Sequence, residues 1–329
     1  MSVVSETAPT LHAAAPLAHP APQVAVLIPC YNEEVTIASV IADFQGVLPG
    51  ATIYVYDNNS RDRTTEVARA SGAVVGRETL QGKGNVIRRM FADIEADVYV
   101  LVDGDATYHA PSATEMVALL LAERLDMVNG TRITEIEAAY RPGHRLGNLV
   151  LTGIVRTIFG DRIKDMLSGY RVFSRRFVKS FPALSGGFET ETEFTIHALE
   201  LGMPIGEVET PYRERPPGSQ SKLNTVRDGI RILLTIIRLV KEERPLQFFA
   251  VSGVFLFVVA VLLGVPLVAE FARTGLVPRF PTAILATGLV GLAFLSFTCG
   301  LILDSVSRGR TEVKRLAYLS VPLYPRDAP

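Results

Sequence analysis

The sequence predicts an α/β fold, a doubly wound and mostly parallel sheet followed by a membrane-binding C-terminal portion. Three observations carry this. Short apolar runs alternate with helix-period stretches as far as Val128, one of those runs stops abruptly at Asp103-Gly104-Asp105, and two long apolar stretches lie near the end of the chain. Strands covered on both faces read as continuous apolar runs, and strands that alternate with helices pair in parallel.

The elements follow in order. Gln23 to Cys30 is a short buried strand, and Val35, Ile37, Val40, Ile41 and Phe44 then recur at helical spacing. Thr52 to Tyr56 is a second strand, ended by Asp57-Asn58-Asn59-Ser60-Arg61-Asp62, in which Ser60 or Asp62 can cap the next helix. A strand at Ala73 to Val75 leads to Gly82-Lys83-Gly84 and a helix through Ile87, Met90 and Phe91. The fourth strand carries the Asp-Gly-Asp, a helix covers Ser112 to Arg124, and a strand starts at Met127. Pro204 to Tyr212 reads as an extended edge segment.

Composition sets the limits. The 329 residues leave room for a domain of about 200 to 240 residues and something more. A net charge of −1 gives no field that would attract nucleic acid. Cys30 and Cys299 are far apart in unlike surroundings, which speaks against a disulfide or zinc site and fits a reducing compartment. Residues 1–22 have neither the basic start nor the apolar core of a signal peptide, and are expected to form a disordered tail because they offer little to bury.

Two carboxylates at the C-terminal end of a buried strand lie where open α/β sheets bind ligands. Gly104 lets the chain turn between Asp103 and Asp105, so both can converge on one cation. Hard oxygens suit Mg²⁺ or Mn²⁺ held jointly with substrate phosphates. Alone, such a motif could be a solvated turn; its surroundings decide. Gly82-Lys83-Gly84 is not a P-loop, since Gly84 replaces the hydroxyl residue and the first glycine is misplaced. A phosphate-facing turn and a plain turn both remain open. The second half supplies cations: Arg132, Arg141, Arg145, Arg171 and Lys222. Arginine grips phosphate through two parallel hydrogen bonds. A metal on one side and arginines on the other suit group transfer from a nucleotide diphosphate to a lipid phosphate.

Asn224 to Glu243 sets Val226, Ile230, Leu233, Leu234, Ile237 and Val240 on one face, interleaved with Arg227, Arg231, Arg238 and Lys241. Such a basic amphipathic helix suits an anionic bilayer surface. Leu246 to Ala269 and Thr282 to Leu303 are each long enough to cross the hydrocarbon. Basic residues before the first stretch (Arg238, Lys241, Arg244) and after the second (Arg308, Arg310, Lys314, Arg315) predict both termini and the catalytic domain on the cytoplasmic face of the inner membrane.

IPCYNEE, YDNNSRDRT, GKGN and DGDATY, with the later GTR, DMLSGYRVFSRR, FETETEFTIHA and GSQSKL, resemble the family 2 glycosyltransferases of GT-A fold, and within them the polyprenyl-phosphate and dolichyl-phosphate sugar synthases. The likeness covers residues 23 to 223. The resemblance implies a nucleotide-sugar pocket lined by Pro29, Tyr31, Glu33, Asp57, Lys83 and Asp103, with Asp57 reading the base. It implies Asp103 and Asp105 as ligands of Mg²⁺ or Mn²⁺, Asp105 the firmer. Arg132, Arg141, Arg145, Ser168 and Arg171 would hold the acceptor phosphate, with Ser221 and Lys222 closing over it. Asn58-Asn59 departs from the usual Asp-Gly, and Thr107 stands where relatives can place a glutamine ligand. The reaction implied is inversion: an oxygen of undecaprenyl or dolichyl phosphate attacks the anomeric carbon as UDP leaves. A phosphate monoester, with a second pKa of about 6, needs no strong base. Asp165 and Glu193 are the remaining catalytic candidates. Asp165 either orients an arginine or the acceptor, or caps a helix; Glu193 pairs with a cation rather than taking a proton. Relatives suggest a homotetramer.

The expected divisions are a tail (1–22), the catalytic domain (23–222), a juxtamembrane helix (223–245), a transmembrane hairpin (246–303) and a cytosolic tail (304–329). The competing readings are a transferase acting on a saccharide or glycolipid hydroxyl, and a non-catalytic membrane scaffold. A processive polysaccharide synthase is disfavoured, because its QxxRW motif needs a tryptophan and the chain has none. His109, His144 and His197 lack metal spacing and read as structural.

Overall fold

The structure is a computed structural model that describes residues 21–133, 153, 163–187, 189–218 and 225–322. Seven strands form one sheet: β1 (Val24–Cys30), β2 (Thr52–Asp57), β3 (Val74–Arg77), β4 (Val98–Leu101), β5 (Met127–Ile133), β6 (Arg171–Ser174) and β7 (Ile205–Pro211), in the order β3-β2-β1-β4-β6-β5-β7. All pairs are parallel except those of β6, which runs antiparallel between β4 and β5. The sheet is mostly parallel, as expected, with β6 as its one antiparallel strand. Every residue of β4 is buried, as its apolar run demands of a strand covered on both faces.

Helices α1 (Ile37–Val47), α2 (Thr64–Ala70) and α4 (Ser112–Ala122) cover one face, and Ile37, Phe44 and Met116 pack on Val26, Val100 and Val172. The other face carries α3 (Lys83–Asp93), α5 (Arg175–Ser180) and α6 (Thr190–Leu201), with Ile87, Phe91, Phe173, Phe177 and Phe194 in one cluster. Boundaries differ from the sequence reading where single residues intervene. Helix α4 stops two residues early, with Arg124 at φ 52°, and β5 extends to Ile133 because β7 pairs along its whole length.

Helix α7 (Thr225–Glu243) buries Ile236 and Leu239 against Met166 and Ile196 of the sheet domain, and leaves Ile230, Leu233, Leu234 and Ile237 exposed. After Arg244 come α8 (Pro245–Thr274) and α9 (Phe280–Ser320), both long and apolar enough to cross a membrane. Their backbones run close together. A Cβ on Gly253 would lie 3.1 Å from the Ala293 carbonyl oxygen, and one on Gly300 3.1 Å from Phe249 Cβ. The outward apolar side chains, such as Phe255, Leu262 and Phe294, are exposed. Helix α9 does not stop at Leu303: residues 304 to 320, expected within a tail, continue it without a break.

Candidate active site

The site is built at the C-terminal end of β4. Past Leu101 the strand makes one more contact, Val102 N–H to the Leu27 carbonyl, and then turns through Asp103-Gly104-Asp105. A Cβ on Gly104 would sit 2.8 Å from Cys30 Sγ, so the turn is open only to glycine without a shift of that thiol. Thr36 Oγ1 donates to the Gly104 carbonyl at 2.6 Å and ties the turn to the start of α1. Asp105 is buried, and its Oδ1 accepts from Thr107 Oγ1 at 2.6 Å and from Thr107 N–H at 3.2 Å. Its other oxygen meets Arg215 at 2.5 Å. Burial, and then the neighbouring Asp103 charge, push the Asp105 carboxyl up, against the pull of Arg215.

Lys83 faces Asp103 at 2.5 Å and Glu191 at 2.6 Å. Burial alone would push its ammonium down, yet the two carboxylates hold it well above the ordinary lysine value. The flanking glycines create this position. Gly82, at φ 134°, and Gly84 press against the turn before α6: a Cβ on either would lie 2.1 or 2.2 Å from the carbonyl oxygens of Gly186 and Ser185. The first turn of α3 thus meets the segment before α6 backbone to backbone, and Lys83 reaches the strand end. Gly82-Lys83-Gly84 carries its lysine to Asp103 at the strand end and to Glu191. Gly169 completes the floor, since a Cβ there would lie 2.7 Å from Asp103 Oδ2 and 3.1 Å from Lys83 Nζ.

The other donor-side candidates lie along the same edge. Asp57, at the end of β2, is buried and accepts from Ser60 N–H at 3.2 Å. Pro29 and Asp57 belong to the paired strands β1 and β2, while Tyr31 and Glu33 lie on the turn after β1, where Glu33 N–H donates to Thr64 Oγ1 at 2.8 Å. The Asn58-Asn59 departure has a structural account. Asn58 donates to the carbonyls of Glu78 and Leu80 and accepts from Gly82 N–H at 2.7 Å, which pins the loop that delivers Lys83. Asn59 takes φ 66°, a left-handed conformation that asparagine tolerates better than most residues.

Among the residues expected to hold the acceptor phosphate, Arg132 at the end of β5 forms a two-pronged pair with Asp165, Nε to Oδ2 at 2.7 Å and Nη2 to Oδ1 at 2.9 Å. Between the two alternatives for Asp165, its place is that of an arginine-orienting carboxylate. Tyr212 and Tyr108 lie between this pair and the strand-end carboxylates. The Arg132 guanidinium lies 5.5 Å from the Tyr212 ring centre, the two rings are 5.4 Å apart, and both tyrosines feel the charges of Arg132 and Asp103.

Arg171 and Ser168 are placed differently from the expectation. Arg171 is wholly buried on β6, donating to the carbonyls of Ser168 and Met166 and to Thr195 Oγ1; burial pushes it down to about 10. Ser168 Oγ donates to the Gly130 carbonyl at 2.6 Å and is equally buried. Both brace the loop that carries Gly169 and do not present a phosphate contact. Glu193 points away from Lys83, accepting from Ser185 N–H at 3.0 Å, and burial raises its pKa. Its neighbour Glu191 is the α6 carboxylate that meets the site. Arg141, Arg145, Ser221 and Lys222 lie outside the described residues.

Sequence reasoning missed Glu191, Arg215, Tyr108 and Tyr212. Arg215 reaches Asp105 because Arg213 N–H pairs with the Thr107 carbonyl and Tyr108 bridges Tyr212, a long-range match without a local signal. Asp103 and Asp105 fit a hard divalent cation chemically. Among the described residues no cluster of three or more His, Cys, Asp or Glu could hold a metal. Two carboxylates would thus leave most coordination positions to phosphate and water, as Mg²⁺ prefers.

The family model for glycosyl transferase family 2 matches residues 25–181. Glycosyltransferase AglJ of Haloferax volcanii is 37% identical over 70% of this chain and 76% of its own length. A dolichyl-phosphate hexose transferase of the same organism is 30% identical over 67% of this chain and 95% of its own. Glucosyl-3-phosphoglycerate synthase of Mycobacterium tuberculosis, crystallised with Mn²⁺, uridine diphosphate and phosphoglyceric acid, superposes with a TM-score of 0.54 at 26% identity, covering 65% of this chain and 78% of that one. With the Asp-Gly-Asp strand end, the mixed seven-stranded sheet and these relatives together, the chain belongs to glycosyl transferase family 2.

Proposed function

We propose that the protein transfers a sugar from a nucleotide-diphosphate donor, a UDP-sugar, to a polyprenyl phosphate at the cytoplasmic face of the membrane. One observation carries the reading. Two strand-end carboxylates, each paired with a cation, share a pair of tyrosines with an arginine held by its own carboxylate. Two apolar helices next to that domain supply the reason for a lipid acceptor. The solved neighbour was crystallised with uridine diphosphate and a relative is named for dolichyl phosphate, which supports the choice of each substrate.

Asp57 and the turn after β1 receive the nucleotide. Asp103 and Asp105 would hold Mg²⁺ or Mn²⁺, which when bound neutralises diphosphate charge and makes it a better leaving group. Lys83 and Arg215 keep the carboxylates in place and add positive charge beside the diphosphate. Arg132, aimed by Asp165, steadies the acceptor phosphate. An acceptor oxygen forms a bond to the anomeric carbon, the bond from that carbon to the diphosphate oxygen breaks, and its electron pair leaves with UDP. The acceptor is already a dianion near neutral pH, given a second pKa of about 6, so no side chain has to remove a proton.

Purified protein should transfer radiolabelled sugar from one member of a UDP-sugar panel to undecaprenyl phosphate, and excess EDTA should stop it. Asp105→Ala should reduce turnover by at least about 10²-fold. Unchanged turnover of that variant would exclude the assignment.

A further inference from the structure

Helix α9 does more than cross a bilayer. Its last 17 residues, 304 to 320, rise about 25 Å beyond the apolar stretch. Their inward contacts fall on one stripe at helical spacing: Ser307, Thr311, Lys314, Arg315 and Tyr318. Thr311 Oγ1 and Lys314 Nζ each meet Glu200 at 2.7 Å, at the C-terminal end of α6, and Lys314 also meets Glu243, the last residue of α7, at 3.0 Å. Arg315 donates to the Leu201 carbonyl.

The tip is held as well. Tyr318 donates to Asp126 Oδ2 at 2.7 Å, packs on the core face of the sheet, and lies under the Arg176 guanidinium at 4.8 Å; Arg176 also donates to the Val321 carbonyl at 3.0 Å. Asp126, which is 1% exposed, also accepts from Ser174 Oγ at 2.7 Å. Asp126 directly precedes β5, whose far end carries Arg132. Ser174 closes β6, which starts just after Gly169. The tip therefore grips both strands that carry the acceptor side of the site, at the ends away from the chemistry.

A domain joined to a membrane only through α7 and the single residue Arg244 could swivel. A second attachment some 25 Å along the helix removes that freedom. We propose that residues 304–320 are a strut that fixes the height and tilt of the catalytic domain over the bilayer, and that Tyr318 is its positioning residue for a membrane-borne acceptor. The acceptor part of this inference rests on the lipid-phosphate reading above; the mechanical part does not.

Two measurements on the full-length protein in phosphatidylethanolamine–phosphatidylglycerol nanodiscs test it. Spin labels at Arg69 on α2 and Thr274 at the end of α8, in a Cys299→Ser background, report the spread of distances between domain and membrane. Tyr318→Ala should broaden that distribution, with Tyr318→Phe giving a smaller change in the same direction. An unchanged width in both variants overturns the strut. Transfer is then followed to undecaprenyl phosphate in the bilayer and to citronellyl phosphate in solution. Tyr318→Ala should lower kcat on the bilayer acceptor at least tenfold while KM for the donor, and kcat on the soluble acceptor, stay within twofold. Equal losses on both acceptors would mean a purely structural role and overturn the positioning claim. If the wild type uses neither phosphate, the acceptor reading fails and the positioning claim with it, while the distance measurement still decides whether the strut exists.

Discussion

Helix α6 begins and ends on a lysine that holds two carboxylates. At its first turn Lys83 lies 2.5 Å from Asp103 and 2.6 Å from Glu191; at its last turn Lys314 lies 2.7 Å from Glu200 and 3.0 Å from Glu243. The difference is in exposure and charge. Side-chain exposure is 29% for Asp103, against 9% and 8% for Glu200 and Glu243. Burial and the nearby Glu200 push the Glu243 carboxyl up. At the other end the excess sits beside the Asp105–Arg215 pair, on an acid that reaches solvent. One lysine bridge joins three helices for good. The other leaves Asp103 partly open to solvent at the strand end.

Removing either lysine should separate the two roles. Lys83→Met should lower turnover by about 10³-fold, the scale of losing a positioned charge beside developing negative charge, and should weaken UDP binding in calorimetry. Retained UDP affinity would break the contrast. Between the two ends, His197 is enclosed by Phe177 and Phe181, and burial, helped by the Lys314 charge, pushes it down to about 4. The unfolded imidazole takes up its proton near 6.5 and the folded one resists to about 4. This contribution is therefore complete above about pH 7 and lost as pH falls to 4, amounting to about 3 kcal/mol at most. Melts of wild type and His197→Phe should diverge across that window; parallel curves would show a solvated imidazole. Lys314→Met should cost about 3 kcal/mol, since it leaves two carboxylates buried without their cation, while UDP affinity stays unchanged in the same calorimetry. Smallest is Thr311→Val, which removes one hydrogen bond to Glu200 and should lower thermal stability by about 1 kcal/mol.

How much of this was legible depends on how local each signal is. The strands β1, β2 and β4 and the Asp103-Gly104-Asp105 turn follow from contiguous apolar runs that end in charge, and the structure has them where the pattern puts them. The antiparallel insertion of β6 was not legible, because strand order depends on pairing across segments far apart in sequence. The same holds for Glu191 against Glu193. Both lie in one acidic first turn, and the tertiary packing gives Glu191 to Lys83 and Glu193 to the Ser185 N–H. Arg171 sits in a motif that looks phosphate-binding, yet its guanidinium is used on carbonyls inside the fold. Residue type predicted the affinity of that group for oxygen, and topology chose the oxygen.

Gly169 has a consequence for what the strand end tolerates. The residue is buried, its N–H donates to Tyr108 Oη at 2.9 Å, and Asp103 and Lys83 approach it so closely that no side chain fits there without a shift. A methyl group at this spot would therefore press on the Lys83–Asp103 pair before it could touch anything else. Drift here is felt as a displaced ion pair, not as a new contact.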